Sequence, residues 1–118
     1  MRITRADTTG LPTSANPIFV GDVAAQTIVD DAAAALLRVT AVTFRDGARN
    51  RWHTHAPDQV LVVTEGLGIL ADETGEHPIA PGDVVLISAG ERHWHGASRG
   101  ESMTHLSILT PGALTITD

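Results

Sequence analysis

Residues 47–66, GARNRWHTHAPDQVLVVTEG, constrain this chain more than any other stretch of it. His53 and His55 are two positions apart, so in an extended strand they project from one face while Trp52 and Thr54 project from the other. Pro57 and Asp58 interrupt that strand, and the apolar run Val60, Leu61, Val62, Val63 begins a second one with Gln59 at its start. A turn there folds Gln59 back towards the two imidazoles. Three candidate metal ligands then fall within seven residues. Residues 91–96, ERHWHG, repeat the alternation with His93 and His95, and His105 lies in a later apolar segment on the same face as Met103 and Ser107.

The remainder of the chain supplies more strands. Residues 1–17 carry turn and loop signals, among them Gly10, Pro12 and Pro17. Short strands are expected at residues 18–20 and 27–29, separated by Gly21-Asp22. Such an arm, residues 1–35 of the same domain, can pair at a sheet edge or with a neighbouring subunit. Residues 30–37, DDAAAALL, favour helix through an Asp N-cap and an alanine run, but two turns are marginal alone, and a loop or a single helical turn are both open. Residues 37–44 read as a strand, followed by a turn at residues 45–48. Further strands are expected at 66–71, 77–79, 84–87, 103–109 and 114–117, with turns at Pro81-Gly82 and Pro111-Gly112. Many short strands, frequent turn signals and no convincing helix describe an all-β antiparallel barrel or sandwich.

The spacing of these residues resembles the cupin superfamily. Its first motif runs Gly, five residues, His-x-His, three residues, Glu, six residues, Gly; here Gly47, His53, His55, Gln59 and Gly66 stand in register, with Gln for Glu. Its second motif is matched by Gly82, Gly90 and His93, while Ser88 and Ala97 replace the usual Pro and Asn. The combination WHTH, a Gln at the fourth ligand position, PGDVV, ERHWHGA and a late MTHL is similar to small single-domain cupins that include manganese-dependent bacterial hydroxynitrile lyases and decarboxylase-associated cupins. The resemblance implies an antiparallel double-sheet β-barrel of jelly-roll type over residues 36–118. It implies metal ligands His53, His55, Gln59 and His93, with pocket histidines His95 and His105 as acid or base, and it implies a homodimer.

Composition narrows the alternatives. A chain of 118 residues makes one domain. Aromatic residues make up only 3%, so the core is built mainly from Val, Ile, Leu and Ala. The net charge of −6, with no basic cluster, argues against nucleic acid. With no cysteine, disulfides and thiolate metal sites are excluded. The N-terminus lacks the apolar core of a secretory signal and no run approaches membrane-spanning length, so a cytoplasmic protein without membrane contact is expected.

Neutral imidazole is the commonest ligand for first-row divalent metals, and three of them with an amide suit Mn, Fe, Co, Ni or Zn. An amide in place of a carboxylate leaves the site at a full +2, which strengthens polarisation of a bound oxygen. His77, near a turn, is expected at the surface, and Trp52 and Trp94 are expected to pack away from the metal. The leading expectation is a metal-dependent lyase acting on a small oxygenated molecule, by cleavage of a cyanohydrin to aldehyde and cyanide or by decarboxylation. A metal-dependent dioxygenase, a small-ligand-binding cupin without turnover, and a barrel that keeps the ligands for stability are the alternatives. His95 and His105 favour an enzyme, because a structural site needs no further ionisable groups.

Overall fold

A computed structural model describes residues 1–118. The chain is all-β, with ten strands and no α-helix. They are β1 Phe19–Val29, β2 Arg38–Asn50, β3 His53–His55, β4 Gln59–Gly66, β5 Gly68–Asp72, β6 Gly75–Ile79, β7 Val84–Ile87, β8 Trp94–Ala97, β9 Met103–Leu109 and β10 Leu114–Ile116. No helix is long and apolar enough to cross a membrane.

The larger sheet runs β6-β5-β8-β2-β9-β4-β7, with β1 along the other edge of β2, and every pairing is antiparallel. β2 joins two halves. Its residues Arg38 to Phe44 pair with Leu109 to Met103 of β9, whereas Arg49 pairs with Gly96 of β8. Between them Asp46 (φ 54°) and Gly47 (φ 75°) are left-handed, and the strand steps there from one half of the sheet to the other. The sheet curls on itself at this corner into the antiparallel barrel of jelly-roll type. Residues 45–48, expected to form a turn, are therefore a bulge inside one long strand. A bulge adds residues and twist without reversing the chain, which is what a sheet needs in order to bend.

The arm also differs from expectation. The two short strands expected at 18–20 and 27–29 are one strand of 11 residues, paired with β2 of its own chain through a register shift between Val20 and Asp22. Gly21, at φ 95°, absorbs that shift. Residues 30–37 form no helix. Asp30 Oδ1 accepts from the backbone N–H of Ala32 and Ala33, and the Asp30 carbonyl accepts from Ala33 and Ala34. One capped turn results, and with too few residues to propagate a helix it ends there.

The core gathers Val23, Val42, Phe44, Ala48, Val63, Ile79, Ala97 and Met103. Phe44 is its centre, fully buried, with its ring edge-on to Phe19 at 6.0 Å. Removing such a ring costs about 3–5 kcal/mol. The same ring touches the site: its centroid lies 5.3 Å from His105 and 5.8 Å from His95.

Candidate metal site

Strands deliver His53, His55, Gln59, His95 and His105, and an isolated bridge to His53 places His93 just before β8. In β3, His53 and His55 share a face. The backbone of His53 exchanges two hydrogen bonds of 3.0 Å with that of His93, and β10 pairs along the opposite edge of β3. A doubly hydrogen-bonded antiparallel pair sets its two side chains side by side. The rings of His53 and His93 accordingly lie 4.3 Å apart, and that of His55 lies 4.9 Å from His53.

One ring nitrogen from each of His53, His55 and His93 comes within 4.8 Å of the others, a group able to hold an ion. Backbone carbonyls select which nitrogens those are. His53 Nδ1 lies 2.6 Å from the Arg51 carbonyl and His93 Nδ1 lies 2.9 Å from the Glu91 carbonyl. A carbonyl only accepts, so both Nδ1 atoms carry the proton and both Nε2 atoms keep a free lone pair. His93 Nε2 is buried and has no hydrogen-bond partner.

Gln59, 4% exposed at the start of β4, shows the same imbalance. Its Nε2 donates to Ser107 Oγ at 2.9 Å, while its Oε1 is buried without a partner. Buried acceptors left unpaired cost about 1–3 kcal/mol each. A cation offsets that cost, and neutral nitrogens with an amide oxygen are a donor set for a divalent transition metal. The residues fit the group that the sequence implies.

Burial also keeps the imidazoles neutral. Desolvation lowers His53 and His55 to about 4, helped in each by repulsion from His93. It lowers His93 as well, against the pull of the Glu91 carbonyl. Neutral rings are the form that ligates, so near neutral pH no proton has to leave before a metal binds.

His95 on β8 and His105 on β9 form a second layer, 3% and 0% exposed. His105 Nε2 lies 2.9 Å from His95 Nδ1. Desolvation lowers His105 to about 4 and holds His95 well below the ordinary histidine value, the His105 ring adding its repulsion to the latter. His53, His55, Gln59, His95 and His105 line one cavity of about 170 Å³, walled on its apolar side by Ile18, Phe19, Val42, Phe44 and Leu114. An engineered apolar cavity of about 150 Å³ accepts benzene. A molecule of one ring and a few further atoms is thus the right size.

Two residues of the site were not singled out from the sequence, Asn50 and Ser107. Asn50 is the last residue of β2, 4% exposed, and contacts His95 through both ends of its amide. Its signal was the buried alternation of Ala48 and Asn50 about Arg49, visible only if β2 continues past Phe44. His77 is half exposed and bonded to Asp72, outside the site. Trp52 and Trp94 pack edge-on against each other at 6.5 Å, with Arg92 over the first ring and Arg49 over the second.

Comparison with known proteins agrees with this fold. The chain is 46% identical over 91 residues to (R)-mandelonitrile lyase of Granulicella tundricola, covering 76% of this chain and 70% of that protein. A cupin-like protein from Thermotoga maritima superposes with a TM-score of 0.84 at 30% identity, over 94% of this chain and 89% of the other. The polyketide cyclase RemF from Streptomyces resistomycificus superposes with a TM-score of 0.83 at 17% identity, over 99% and 87% of the two chains, a likeness of fold alone. Residues 40–109 match the family described as the Cupin domain, and with a histidine cluster at the first motif and a curled antiparallel sheet around it, this chain belongs to the cupins.

Proposed function

We propose that this cupin is a metal-dependent lyase that cleaves a small cyanohydrin to an aldehyde and cyanide, with the ion held by His53, His55, His93 and Gln59. The observation that carries the reading is the meeting, in one cavity of about 170 Å³, of His53, His55 and the unpartnered buried Gln59 Oε1 with a hydrogen-bonded pair of further histidines. A bound divalent ion supplies Lewis acidity that polarises a substrate oxygen and acidifies its hydroxyl proton. Manganese is the ion we assign, on the likeness to manganese-dependent lyases, and the name of the Granulicella relative supplies the reaction class.

The chain's own residues do the rest. Phe19, Phe44, Val42 and Leu114 hold the apolar part of the substrate and exclude water. His95, neutral in this setting, takes the hydroxyl proton at Nε2. The O–H electron pair becomes the second carbonyl bond, the C–CN bond breaks, and cyanide leaves with that bond's electrons. His95 then returns the proton to cyanide. His105, 2.9 Å from His95 Nδ1, orients the ring for that transfer. The proposal includes a cytoplasmic homodimer. The exposed apolar Val84 and Leu86 on the edge strand β7 support self-association, which light scattering measures.

The test is metal content and turnover of an aromatic cyanohydrin, in protein prepared without chelator. The parent is expected to carry manganese and His53→Ala to lose it. His95→Ala and His105→Ala are expected to keep the parent's metal content and lose turnover on the order of 10²-fold or more. Absence of metal from the parent after reconstitution sinks the proposal. Metal with oxygen uptake and no cyanide release would make the protein a dioxygenase; metal with neither would make it a binder.

A further inference from the structure

The walls of the cavity are unequally covered. Among the apolar side chains that line it, Ile18 and Val42 are 6% exposed and Phe44 0%, whereas Leu114 is 44% exposed. Leu114 begins β10, a strand whose one neighbour is β3, and it stands directly across from His55. Residues directly opposed in an antiparallel pair point to the same face, so the leucine reaches into the cavity beside that histidine. Asn16, from the arm ahead of β1, is the other exposed residue of the lining, while His95 and His105 lie deep in it. The mouth is therefore bounded by the arm and by β10. With no Lys, Arg, Asp or Glu in the lining, apolar contact and not an ion pair decides which group fits at that mouth.

We infer that Leu114 is the specificity-determining residue of this cavity, closing its mouth over the apolar group of the substrate and limiting that group to a single ring. The assignment rests on the reading of the cavity as a cyanohydrin site. Side chains packed in the core fix the shape of the deep wall. Leu114 still has apolar surface in water, and a ring that covers it gains the burial. One methylene more or less against an apolar wall discriminates between substrates by about 10–200-fold. The backbone that carries the side chain is held on both sides of it. Ala56 N–H donates to the Ala113 carbonyl at 2.9 Å, Thr117 N–H donates to the Trp52 carbonyl at 2.9 Å, and Arg51 pairs with Asp118 at 2.8 Å. A change of side chain at Leu114 therefore alters the size of the mouth and not the course of β10 or its pairing with His55.

The experiment compares Leu114→Ala and Leu114→Trp with the parent in two ways. Cyanide release from benzaldehyde cyanohydrin and from naphthaldehyde cyanohydrin gives kcat/KM for a one-ring and a two-ring substrate. NMR titration of benzyl alcohol and naphthylmethanol into protein loaded with Zn(II), which is diamagnetic, gives the affinity for the same rings without turnover. The parent is expected to favour the single ring on the order of 10-fold or more in both. Leu114→Ala is expected to move both ratios on the order of 10-fold towards two rings, with metal content equal to the parent's. Leu114→Trp is expected to lower kcat/KM and affinity for the single ring on the order of 10-fold or more. A parent that binds neither alcohol or takes both rings equally overturns the inference. So does an alcohol ratio that stays at the parent's value in Leu114→Ala, or a single ring that Leu114→Trp accepts as well as the parent does. Alcohol affinities that shift as stated, with no cyanide released by any of the three proteins, leave Leu114 as the residue of the mouth and overturn the lyase reading instead.

Discussion

Ser107 Oγ accepts the amide hydrogen of Gln59 at 2.9 Å, and by doing so leaves Gln59 Oε1 as a buried oxygen with no partner. An amide that can rotate would present nitrogen or oxygen to a metal with equal ease. One held by a hydroxyl from the neighbouring strand is biased towards oxygen. The pair also shows why a neutral side chain can serve where the superfamily pattern has a carboxylate, since orientation by a hydrogen bond compensates in part for the missing charge.

Ser107→Ala is therefore expected to weaken metal affinity about 10–100-fold, the usual cost of removing an outer hydrogen bond from a ligand. The change should lower the stability of the metal-free protein by about 1–3 kcal/mol, because Gln59 Nε2 is left buried without its acceptor. Chelator competition measures the first and thermal melts the second. Equal affinity in the variant would show that Gln59 needs no tether, or that it is not a ligand.

Acid should destabilise the metal-free protein well before its carboxylates titrate. His105 is lowered by burial from the ordinary 6.5 to about 4. Between those values the unfolded chain binds a proton that the folded chain refuses. Stability is thus fully present above about pH 6.5 and falls as pH drops towards 4. For His105 alone the loss is about 3 kcal/mol, on the order of 10 °C in Tm for a domain of this size. His53 and His55, also lowered to about 4, act in the same direction. Melts of chelated protein from pH 7.5 to 4.5 are the measurement, and a flat profile would mean that these rings gain protons without unfolding.

What could be read from the sequence and what could not divides along local against distant causes. The shared face of His53 and His55, the break at Pro57-Asp58 and the inward set Met103, His105, Ser107 all follow from a period of two, and the structure shows each of them. The corner of the barrel was misjudged because Asp46 and Gly47 carry the chemistry of a turn. Only the pairing of β2 with both β8 and β9 decides that they form a bulge. Gly21-Asp22 was misjudged for the same reason. Asn50 was missed because its partner lies 45 residues away and a polar residue at a strand position looks the same whether it faces water or a buried ring, and the hold of Ser107 on Gln59 was missed because 48 residues separate them.

Gly96 ties the fold to the chemistry more closely than any ligand does, and Gly96→Ala is the substitution that shows it. A methyl group at this position would lie 2.5 Å from Arg49 Cβ and 2.6 Å from both Arg49 Cα and the Ala48 carbonyl oxygen. Two of these three atoms belong to the backbone of β2, so no rotamer change relieves the contact. β2 and β8 must separate, at a cost of about 1–3 kcal/mol for overpacking, or roughly 5–10 °C in Tm. The separation acts on Asn50 and His95, the residues on either side of the Arg49–Gly96 pair. It does not act on His53 and His55, which are held by β10 and by the backbone of His93. Gly96→Ala is accordingly expected to retain metal while losing turnover by more than its lowered stability accounts for. Metal content, Tm and kcat measured on one preparation separate these effects. If kcat survives at temperatures where the variant is fully folded, the close crossing of β2 and β8 serves the barrel alone.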